Sequence, residues 1–564
     1  MSEISVLNGY KIKDKKAKRF YDNVESMKAD TTLKNGMLVE TKGYYEPHDG
    51  GSAIYEIIND DTAIEDKGLI HNLSNGLYAK LIIKDLVNVA QFGIKGDGVF
   101  DDSIAIQNAI NVAESYIQEK ESPVSSSGNG KTVILPAKKL YIKSTIEIHN
   151  NITLEGSGTT TTLILNDNID YMIKWYKTEN SKGLNEEGHI EGGLLKNIRF
   201  DGNKRLYTCI SAINLTAIDH MTIDNLYFYG IKGKCIEMKA FRENSINNIY
   251  TRFCGTYGVG NIDIIENVGG DTSNLNFGNN WNIIFPFGNA IKFVKGEFAS
   301  INNLVIHGMF TGIINSLTNY FRENEYIDEN NNFIELDNSN ILLNNCSGIY
   351  APDKSSYINA VHSNIQLINN HYGAHKSTQE SHNGDGKFII LSDNSILKSY
   401  SGNYLTCAYQ EADLIVSDDT SKVYGHFAYS ESKATWINAD IEDYRRASQF
   451  VFDGERDKPV ELGFDNYRCV KTYGDDIKAF MSFKAMNNVF EGLTQPDLLY
   501  FGVNKYQQKG VVGIPDNNYL RLSTVSGGSS NISNIIYIDE NGNLVYKWKN
   551  PTTGEYITKT VVTQ

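Results

Sequence analysis

Short runs of alternating apolar and polar residues fill most of the chain, and Asn, Asp or Gly stands between the runs. A period of two is typical of β-strands, and Asn, Asp and Gly tolerate the left-handed backbone of tight turns. The pattern therefore predicts many short strands. One segment differs, because its apolar residues follow helical spacing. It predicts a helix at 101–119 that Asp101 or Asp102 can cap.

A repeat of Asn, an aliphatic residue, any residue and an apolar residue begins near residue 195 and recurs every 21 to 34 residues. A second apolar run follows each copy. Repeats of this length, without helices between the strands, indicate stacked coils that bury their apolar faces on one another. The predicted fold is all-β, a parallel β-helix in which stacked Asn side chains hydrogen-bond along the turns. The copies begin at Asn197, Asn225, Asn248, Asn282 and Asn303.

Composition and charge exclude several classes of function. The 53 Lys and Arg against 68 Asp and Glu give a net charge of −15, which argues against a nucleic-acid binder. The six cysteines have no CxxC spacing, so we expect buried free thiols and not a zinc ribbon or a disulfide framework. Residues 1–30 are polar and no apolar run reaches 18 residues, so we expect cytoplasmic synthesis without a signal peptide or membrane insertion. P-loop, GxSxG and HExxH motifs are absent.

The segment 87–110 (VNVAQFGIKGDGVFDDSIAIQNAI) resembles the entry motif of the pectate-lyase-like, right-handed β-helix superfamily. That motif reads V-x-x-F-G-A-x-G-D-G-x-x-D-D-T-x-A-I-Q-x-A-I, and this chain departs from it at Ile94 and Ser103. Glycoside hydrolases, polysaccharide lyases and phage tailspikes share the motif. The resemblance therefore implies the fold more than the chemistry.

A second segment, residues 27–57, resembles the small module that precedes the β-helix in phage tailspike and appendage proteins. This resemblance implies a homotrimer on the virion tail, made in the host cytoplasm, that recognises or cuts a bacterial surface polysaccharide. It also implies that the N-terminal module binds other tail or baseplate proteins. No cofactor is expected.

Three domains follow from these patterns. Residues 1–85 are expected to form the N-terminal virion-attachment module. Residues 86–434 are expected to form the β-helix, with the helix at 101–119 covering its open end. Residues 435–564 lack the Asn repeat and predict a β-rich, sandwich-like domain for trimerisation or glycan binding, with a hairpin around 540–543.

The second apolar runs supply the catalytic candidates. Aligning them places Ser211, Glu237, Asp263 and Lys292 in one outward column. On adjacent coils, Glu237 and Asp263 would lie about 5 Å apart, a spacing that suits the carboxylate pair of a retaining glycosidase. The alternative interpretation is an ordinary exposed acidic ladder that Lys292 partly neutralises.

The first runs and one long loop supply substrate-binding candidates. Aligning the first runs gives a column of Asp201, Tyr229, Arg252, Pro286 and His307, although Asp201 also precedes a Gly-Asn turn. The loop between residues 261 and 281 is the longest among the aligned coils, and an exposed Trp281 there can stack on a sugar ring. The alternative interpretation is a buried Trp281. The chain lacks the set of sequence elements that marks a polygalacturonase. Its four histidines between 362 and 382 do not converge on one face, so no metal is expected. The proposed substrate-binding residues are Asp201, Arg252, Asp271, Trp281, Lys292 and His307.

The preferred hypothesis is a phage tailspike that binds a capsule, exopolysaccharide or teichoic acid and hydrolyses it with Glu237 and Asp263. Two alternatives stay open. One is a receptor-binding appendage without catalysis. The other is a polysaccharide lyase that uses a basic residue such as Arg252 or Lys292 to remove a proton from a uronate.

Overall fold

The chain divides into two compact units, residues 1–278 and 279–564. None of the described helices is long and apolar enough to cross a bilayer. The computed structural model describes residues 18–60, 62–66, 68–117, 130–255, 262–265, 276–296, 299–307, 333–350, 356–374, 387–400, 403–407, 412–418, 420–425, 428–430, 434–437, 440–442, 498–502, 509–513, 519–525, 534–538, 544–549, 552–553 and 555–562.

The N-terminal module has one short helix, α1 (Val24–Lys28), and a five-stranded sheet in the order β1-β2-β3-β5-β4. The Asn23 side chain caps α1 by accepting a hydrogen bond from Ser26 N at 2.8 Å. The helix ends at Lys28, near the start of the segment 27–57, and short strands follow it. The strands are β1 (Arg19–Tyr21), β2 (Leu38–Thr41), β3 (Ala53–Ile58), β4 (Ile70–Asn72) and β5 (Tyr78–Leu81).

Hydrogen bonds join this module to the first coils that follow it. The Tyr45 hydroxyl donates to Gly93 O at 2.8 Å, and Lys138 Nζ donates to Asp49 O at 3.0 Å. The Gln91 side chain donates to Ser52 O at 2.8 Å. The module is therefore fixed to the first coils by polar contacts as well as by the chain itself.

The predicted helix is α2 (Ser103–Ser115), shorter than 101–119. Of the two proposed caps, Asp101 accepts a hydrogen bond from Ser103 N at 3.1 Å. The buried Asp102 carboxylate instead accepts from Lys95 N at 2.7 Å and Tyr141 N at 2.9 Å. Burial raises the pKa of Asp102 against the lowering effect of these hydrogen bonds. Asp102 therefore fastens the entry loop to a strand and does not cap the helix with its side chain.

Helix α2 covers the edge strand of a sheet, β9 (Ile146–Ile148). The Gln107 amide accepts from Glu147 N at 2.7 Å and donates to Glu147 O at 2.8 Å, which reproduces the pairing of a neighbouring strand. The Glu114 carboxylate accepts from His149 N at 2.6 Å. The expectation that this helix covers the open end is confirmed, and it removes an edge that invites edge-to-edge aggregation.

The coils of the first unit form two parallel sheets, 1A and 1B. Strand–crossover–parallel strand connections are right-handed almost without exception, as expected for a right-handed β-helix. Sheet 1A contains β6 (Leu86–Asn88), β7 (Thr132–Ile134), β8 (Lys139–Ile142), β10 (Thr153–Leu165), β13 (Leu194–Asp201), β15 (Thr222–Tyr229) and β17 (Ser245–Arg252). Sheet 1B contains β9, β11 (Tyr171–Tyr176), β12 (Ile190–Glu191), β14 (Ser211–Asp219), β16 (Lys234–Arg242) and β18 (Ile262–Ile265). Two 3-10 turns lie at Val89–Phe92 and Asn203–Arg205.

The repeated Asn marks a corner of each coil. Asn197, Asn225 and Asn248 adopt the left-handed conformation, with φ of 61°, 53° and 54°, and each lies inside a strand of sheet 1A. The side chain of Asn225 donates to Asn197 Oδ1 at 2.7 Å, which confirms an Asn ladder. Short polar side chains tolerate this conformation better than other non-glycine residues. The repeat therefore records the bend, and the aliphatic residue after it turns inward.

One copy of the repeat was placed wrongly. The left-handed residue is Asn280, with φ of 59°, and not Asn282. Asn280 lies in β19 (Asn276–Ile284), which crosses the boundary between the two units. Trp281 then occupies the inward position that Ile or Leu fills in the other copies, and it is 1% exposed.

The coils of the second unit are also built from strands of two parallel sheets, and the strands that lie in this unit are called 2A and 2B. Their pairing continues to Glu442, past the predicted end at residue 434. Sheet 2A contains β21 (Ala299–His307), β23 (Asn340–Asn344), β24 (Ser347–Tyr350), β26 (Asn364–Ile368), β27 (His371–Ala374), β29 (Ile396–Ser399), β30 (Tyr404–Cys407), β32 (Lys422–Gly425), β33 (Ala428–Ser430) and β35 (Asp440–Glu442). Sheet 2B contains β20 (Ile291–Val294), β22 (Ile334–Asp337), β25 (Ser356–Val361), β28 (Lys387–Ser392), β31 (Ala412–Ser417) and β34 (Ala434–Ile437).

The described strands near the C-terminus form one six-stranded antiparallel sheet in chain order. The predicted hairpin around 540–543 is confirmed, because the strands on either side of it pair with each other. The strands are β36 (Leu498–Gly502), β37 (Lys509–Gly513), β38 (Tyr519–Val525), β39 (Asn534–Ile538), β40 (Leu544–Lys549) and β41 (Tyr556–Val562).

The expected free thiols are found where the structure describes cysteine side chains. The buried, unbridged cysteines are Cys209, Cys235, Cys254 and Cys346.

Candidate functional site

The carboxylate pair predicted from the sequence occupies neighbouring strands of sheet 1B. Glu237 on β16 pairs in register with Asp263 on β18, so their backbones lie about 4.8 Å apart. On the other side, Glu237 pairs with Asn214 of β14. Ser211 does not belong to this column, because it pairs with Lys234. The Cys-Ile runs at 209 and 235 suggested the wrong alignment, since Ile213 is the residue that stacks on Ile236.

Glu237 is buried although it points away from the coil interior, and it is 3% exposed. Its Oε1 contacts the ammonium groups of Lys234 at 3.1 Å and Lys239 at 3.3 Å, and its Oε2 accepts from Asn214 Nδ2 at 3.0 Å. Burial alone would raise the pKa of this carboxyl group. The two lysines and the hydrogen bonds outweigh burial and lower the pKa, so Glu237 is an ionised carboxylate at neutral pH.

An ionised, fixed carboxylate suits a nucleophile or a base and does not suit a proton donor. The strand that carries Asp263 is described by its backbone position alone. If the two residues act as a pair, the acid role falls to Asp263.

The column predicted on the first runs is confirmed over three coils of sheet 1A. Asp201, Tyr229 and Arg252 are register partners on β13, β15 and β17. Asp201 also accepts hydrogen bonds from Asn203 N at 2.9 Å and from Arg199 Nη2 at 2.8 Å. Its carboxylate therefore has a turn-forming role as well. Pro286 was placed wrongly, because β19 ends at Ile284.

The remaining substrate candidates lie in different surroundings. Trp281 cannot stack on a sugar as expected, because its ring is buried inside the coil. Lys292 on β20 forms an ion pair with Glu335 at 3.3 Å. His307 ends β21, where burial lowers its pKa and its ring contacts Phe285. Asp271 lies outside the described residues.

A polar network whose partners the sequence does not bring together lies at the C-terminal ends of strands in sheet 1B. The buried Asp219 carboxylate contacts His189 Nδ1 at 3.0 Å, Asn185 Nδ2 at 2.6 Å and Arg242 Nη2 at 2.5 Å. Arg242 also contacts Glu187. Asp219 and Arg242 are register partners, so a correct alignment of the second runs would have brought them together.

Next to this network, His220 lies between two carboxylates, one from Glu191 of β12 and one from Glu243, which follows β16. Its Nδ1 is 2.9 Å from Glu191 Oε1 and its Nε2 is 2.7 Å from Glu243 Oε2. Burial works against the charged imidazole, but the two carboxylates dominate and raise the pKa of His220. Within the described part of the chain, no group of three His, Cys, Asp or Glu is arranged to hold a metal ion.

A second column lies beside the one on sheet 1A and was also missed. Arg199, Tyr227 and Tyr250 are register partners on β13, β15 and β17. The two tyrosine rings stack at 4.5 Å between centroids with an interplanar angle of 11°, and the Arg199 guanidinium lies 5.1 Å from the Tyr227 ring. An alignment of the first runs would have shown this column, because Arg199 lies two residues before Asp201 on the same face of β13.

Stacked parallel coils with outward columns of carboxylates, arginines and tyrosines define a parallel β-helix. Residues 86–356 match the family model described as rhamnogalacturonase A/epimerase, pectate lyase-like. This part of the chain is similar to that family, in agreement with the resemblance of the entry motif at 87–110. No curated protein matches the chain.

The solved structures that resemble this chain include phage tailspikes. The gp42 tailspike of Acinetobacter phage vb_AbaP_AS12 is 12% identical, with 97% of this chain and 94% of that chain covered and a TM-score of 0.53. The gp49 tailspike of Acinetobacter baumannii bacteriophage Fri1, a capsular polysaccharide depolymerase, is 11% identical over 96% of this chain and 95% of that chain, with a TM-score of 0.40. The first similarity supports the β-helix fold.

Proposed function

We propose that this protein is a phage tailspike that binds a bacterial surface polysaccharide and hydrolyses it. The observation that carries the proposal is the register pair of Glu237 and Asp263 on a pectate-lyase-like β-helix. The tailspike fold similarity supports placement on a virion tail.

In the proposed reaction, the ionised Glu237 carboxylate attacks the anomeric carbon while Asp263 gives its proton to the leaving glycosidic oxygen. Asp263 then removes a proton from water, which displaces Glu237 and leaves the configuration of the sugar retained. Adjacent strands give the short carboxylate separation that this route needs. Lys234 and Lys239 hold Glu237 in the form that attacks.

The proposal also assigns the flanking segments. Residues 1–85 attach the protein to other tail or baseplate proteins. Residues 435–564 serve trimerisation or glycan binding, and the active particle is a homotrimer. Asp201, Arg252, Lys292 and His307 remain proposed substrate contacts.

Polymer chain length tests the reaction. The full-length protein is incubated with purified capsule, exopolysaccharide and teichoic acid, and products are sized by gel filtration and assayed for new reducing ends. We expect Glu237→Gln and Asp263→Asn to abolish shortening. Glu155→Gln is the matched control, because Glu155 also pairs with a lysine, Lys196 at 3.2 Å, but lies on sheet 1A.

Unchanged polymer sizes with all three substrates would refute hydrolysis. Full activity in both carboxylate variants would place the site elsewhere. A product that absorbs ultraviolet light as an unsaturated uronate would identify a lyase instead.

The 3% exposure of Glu237 favours a second candidate, a receptor-binding appendage without catalysis. In that case Glu237 serves only to hold the outer face of sheet 1B together. Polymer binding without any change in polymer size, equal in the wild type and in Glu237→Gln, would support this candidate.

A further inference from the structure

Six outward side chains on β13, β15 and β17 form a grid of two columns and three rungs, which we call the Arg–Tyr face. One column is Arg199, Tyr227 and Tyr250, and the other is Asp201, Tyr229 and Arg252. All six are half-buried, while the residues between them on each strand point into the coil.

The Arg–Tyr face is held in one arrangement by its own contacts. The Arg199 guanidinium lies over Tyr227 at 5.1 Å and over Tyr229 at 5.3 Å, and it donates to Asp201. Tyr227 and Tyr250 stack face to face. Such arginine–aromatic and aromatic pairs restrict long side chains, so less entropy is lost when a ligand binds.

The Arg–Tyr face carries a local excess of positive charge. The Arg–Tyr face combines two guanidinium groups with one carboxylate, in a chain whose net charge is −15. A protein of that charge repels polyanions unless a local positive surface meets them.

The donor chemistry of the face also points to an anionic ligand. A guanidinium carries five N–H donors, and the Asp201 carboxylate engages Arg199 through Nη2. Guanidinium groups match carboxylate and phosphate oxygens with paired hydrogen bonds. Burial raises the pKa of Tyr227 to about 12, so its hydroxyl stays neutral and can donate to a ligand oxygen.

We propose that the Arg–Tyr face binds an anionic surface polysaccharide. Arg199 and Arg252 contact its carboxylate or phosphate groups, and the tyrosine hydroxyls contact its sugar hydroxyls. The rungs repeat along the stacking direction of the coils, so the polymer lies across successive strands of sheet 1A. This inference rests on the proposed function only in taking a bacterial polymer as the ligand, since it requires no cleavage.

Binding to an array of purified bacterial polysaccharides tests the inference. The array contains carboxylated, phosphorylated and neutral polymers. We expect the full-length protein to bind anionic polymers, and to lose binding after chemical reduction of carboxyl groups or removal of phosphate, whichever group the bound polymer carries. Arg199→Gln and Arg252→Gln should each weaken binding about tenfold or more, as expected for loss of a charge-assisted hydrogen bond.

Arg19→Gln is the matched control. Arg19 lies in the N-terminal module and forms an ion pair with Asp30 at 2.9 Å, close to the 2.8 Å of Arg199 and Asp201. The charge change is the same, so an effect of net charge alone would appear in all three variants. Thermal melting checks that each variant is folded.

Three results would overturn the inference: binding to neutral polymers alone, no binding to any anionic polymer, or equal binding by the arginine variants and Arg19→Gln. A change in oligomeric state in Arg199→Gln and Arg252→Gln, measured by analytical ultracentrifugation, would also overturn it, because the face would then be a contact between subunits. Glu237→Gln separates this inference from the proposed reaction. It should stop cleavage and leave binding to the Arg–Tyr face intact.

Discussion

Glu237 in the first unit and Glu335 in the second occupy comparable outward positions on parallel strands and have similar partners. Glu237 contacts Lys234 and accepts from Asn214, while Glu335 contacts Lys292 and accepts from Asn289 at 2.6 Å. They differ in exposure, because the Glu237 side chain is 4% exposed and that of Glu335 is 29% exposed.

This difference shows that the same kind of Lys–Glu ion pair can have two different roles. An exposed pair contributes little to stability, because water screens both charges. A buried carboxylate with two ammonium groups costs desolvation energy and is retained where a fixed charge is useful. The comparison therefore distinguishes Glu237, whose charge is fixed in a buried position, from Glu335, whose ion pair is partly exposed to water.

The largest expected effect is the difference in activity between Glu237→Gln and Glu335→Gln, which tests this comparison directly. Glu237→Gln should lower the rate of polymer shortening by about a thousandfold or more, because it removes the nucleophile. Glu335→Gln should leave the rate within about twofold. Reducing-end assays on both variants measure the difference, and equal losses would show that burial does not mark the reactive carboxylate.

A second experiment compares the buried corner residues of the two units. In the first unit, Asn244 accepts from Met221 N at 2.5 Å and donates to Ile218 O at 3.2 Å. In the second unit, Ser363 accepts from Ser339 N at 3.1 Å and donates to Val361 O at 2.7 Å.

Asn244→Ala should cost about 3 kcal/mol of unfolding free energy. It removes the side-chain hydrogen bonds of two buried backbone groups and leaves a cavity where the amide was. Ser363→Ala should cost about 1 to 2 kcal/mol, since a single small hydroxyl is lost. Denaturant unfolding of both variants gives the values. A larger loss of unfolding free energy for Ser363→Ala than for Asn244→Ala would contradict this ranking.

A third experiment sharpens the assignment of charge at Glu237. Lys239→Met removes one of the two ammonium groups that lower the pKa of this carboxyl group, so its pKa should rise. The acidic limb of the pH–rate profile should then move to higher pH. Lys196→Met, which removes the partner of Glu155, is the control and should leave the limb in place.

Two histidines should show opposite responses of stability to pH. Burial lowers the pKa of His71, in the N-terminal module, to about 4. The charges that face it are Lys28, Glu65, Asp66 and Glu25, and they change this value less than burial does. His71 therefore supports the fold above about pH 6.5, and up to about 3 kcal/mol of that support is lost as the pH falls toward 4.

His220 should behave in the reverse way. Glu191 and Glu243 raise its pKa, so its stabilising effect is complete below about pH 6.5 and is lost as the pH rises through the raised value. Because all three side chains are substantially exposed, the effect is small. Melting temperatures of His71→Gln and His220→Gln from pH 4 to 8 test both signs, and parallel curves would contradict the comparison.

Much of the fold was predictable because the corner residue and the entry motif are local signals. Asn197, Asn225 and Asn248 mark the bend by their own conformational tolerance, and no distant contact is needed to recognise them. The register of the second runs was harder, because apolar runs of similar composition can be matched at several offsets. This is why Ser211 was aligned with Glu237 although Asn214 is the true partner.

The site was predictable only where two neighbouring runs were correctly aligned. Glu237 and Asp263 were found in this way. Trp281 was misjudged, because the corner residue of this coil is Asn280 and not Asn282. The left-handed corner interrupts the alternation, and the residue that follows it points inward. The contacts of Asp219 with His189 and Asn185 depend on a loop that returns to the sheet, which no periodicity reveals.

Gln107 has a consequence for the edge of the sheet that it covers. Its amide occupies the place that a preceding strand would take beside β9. At Glu147 the edge strand therefore has both backbone groups paired, so another chain cannot pair with it there. The helix closes this side of the sheet by imitating the sheet's own hydrogen bonds, and Glu114 adds a second contact at His149.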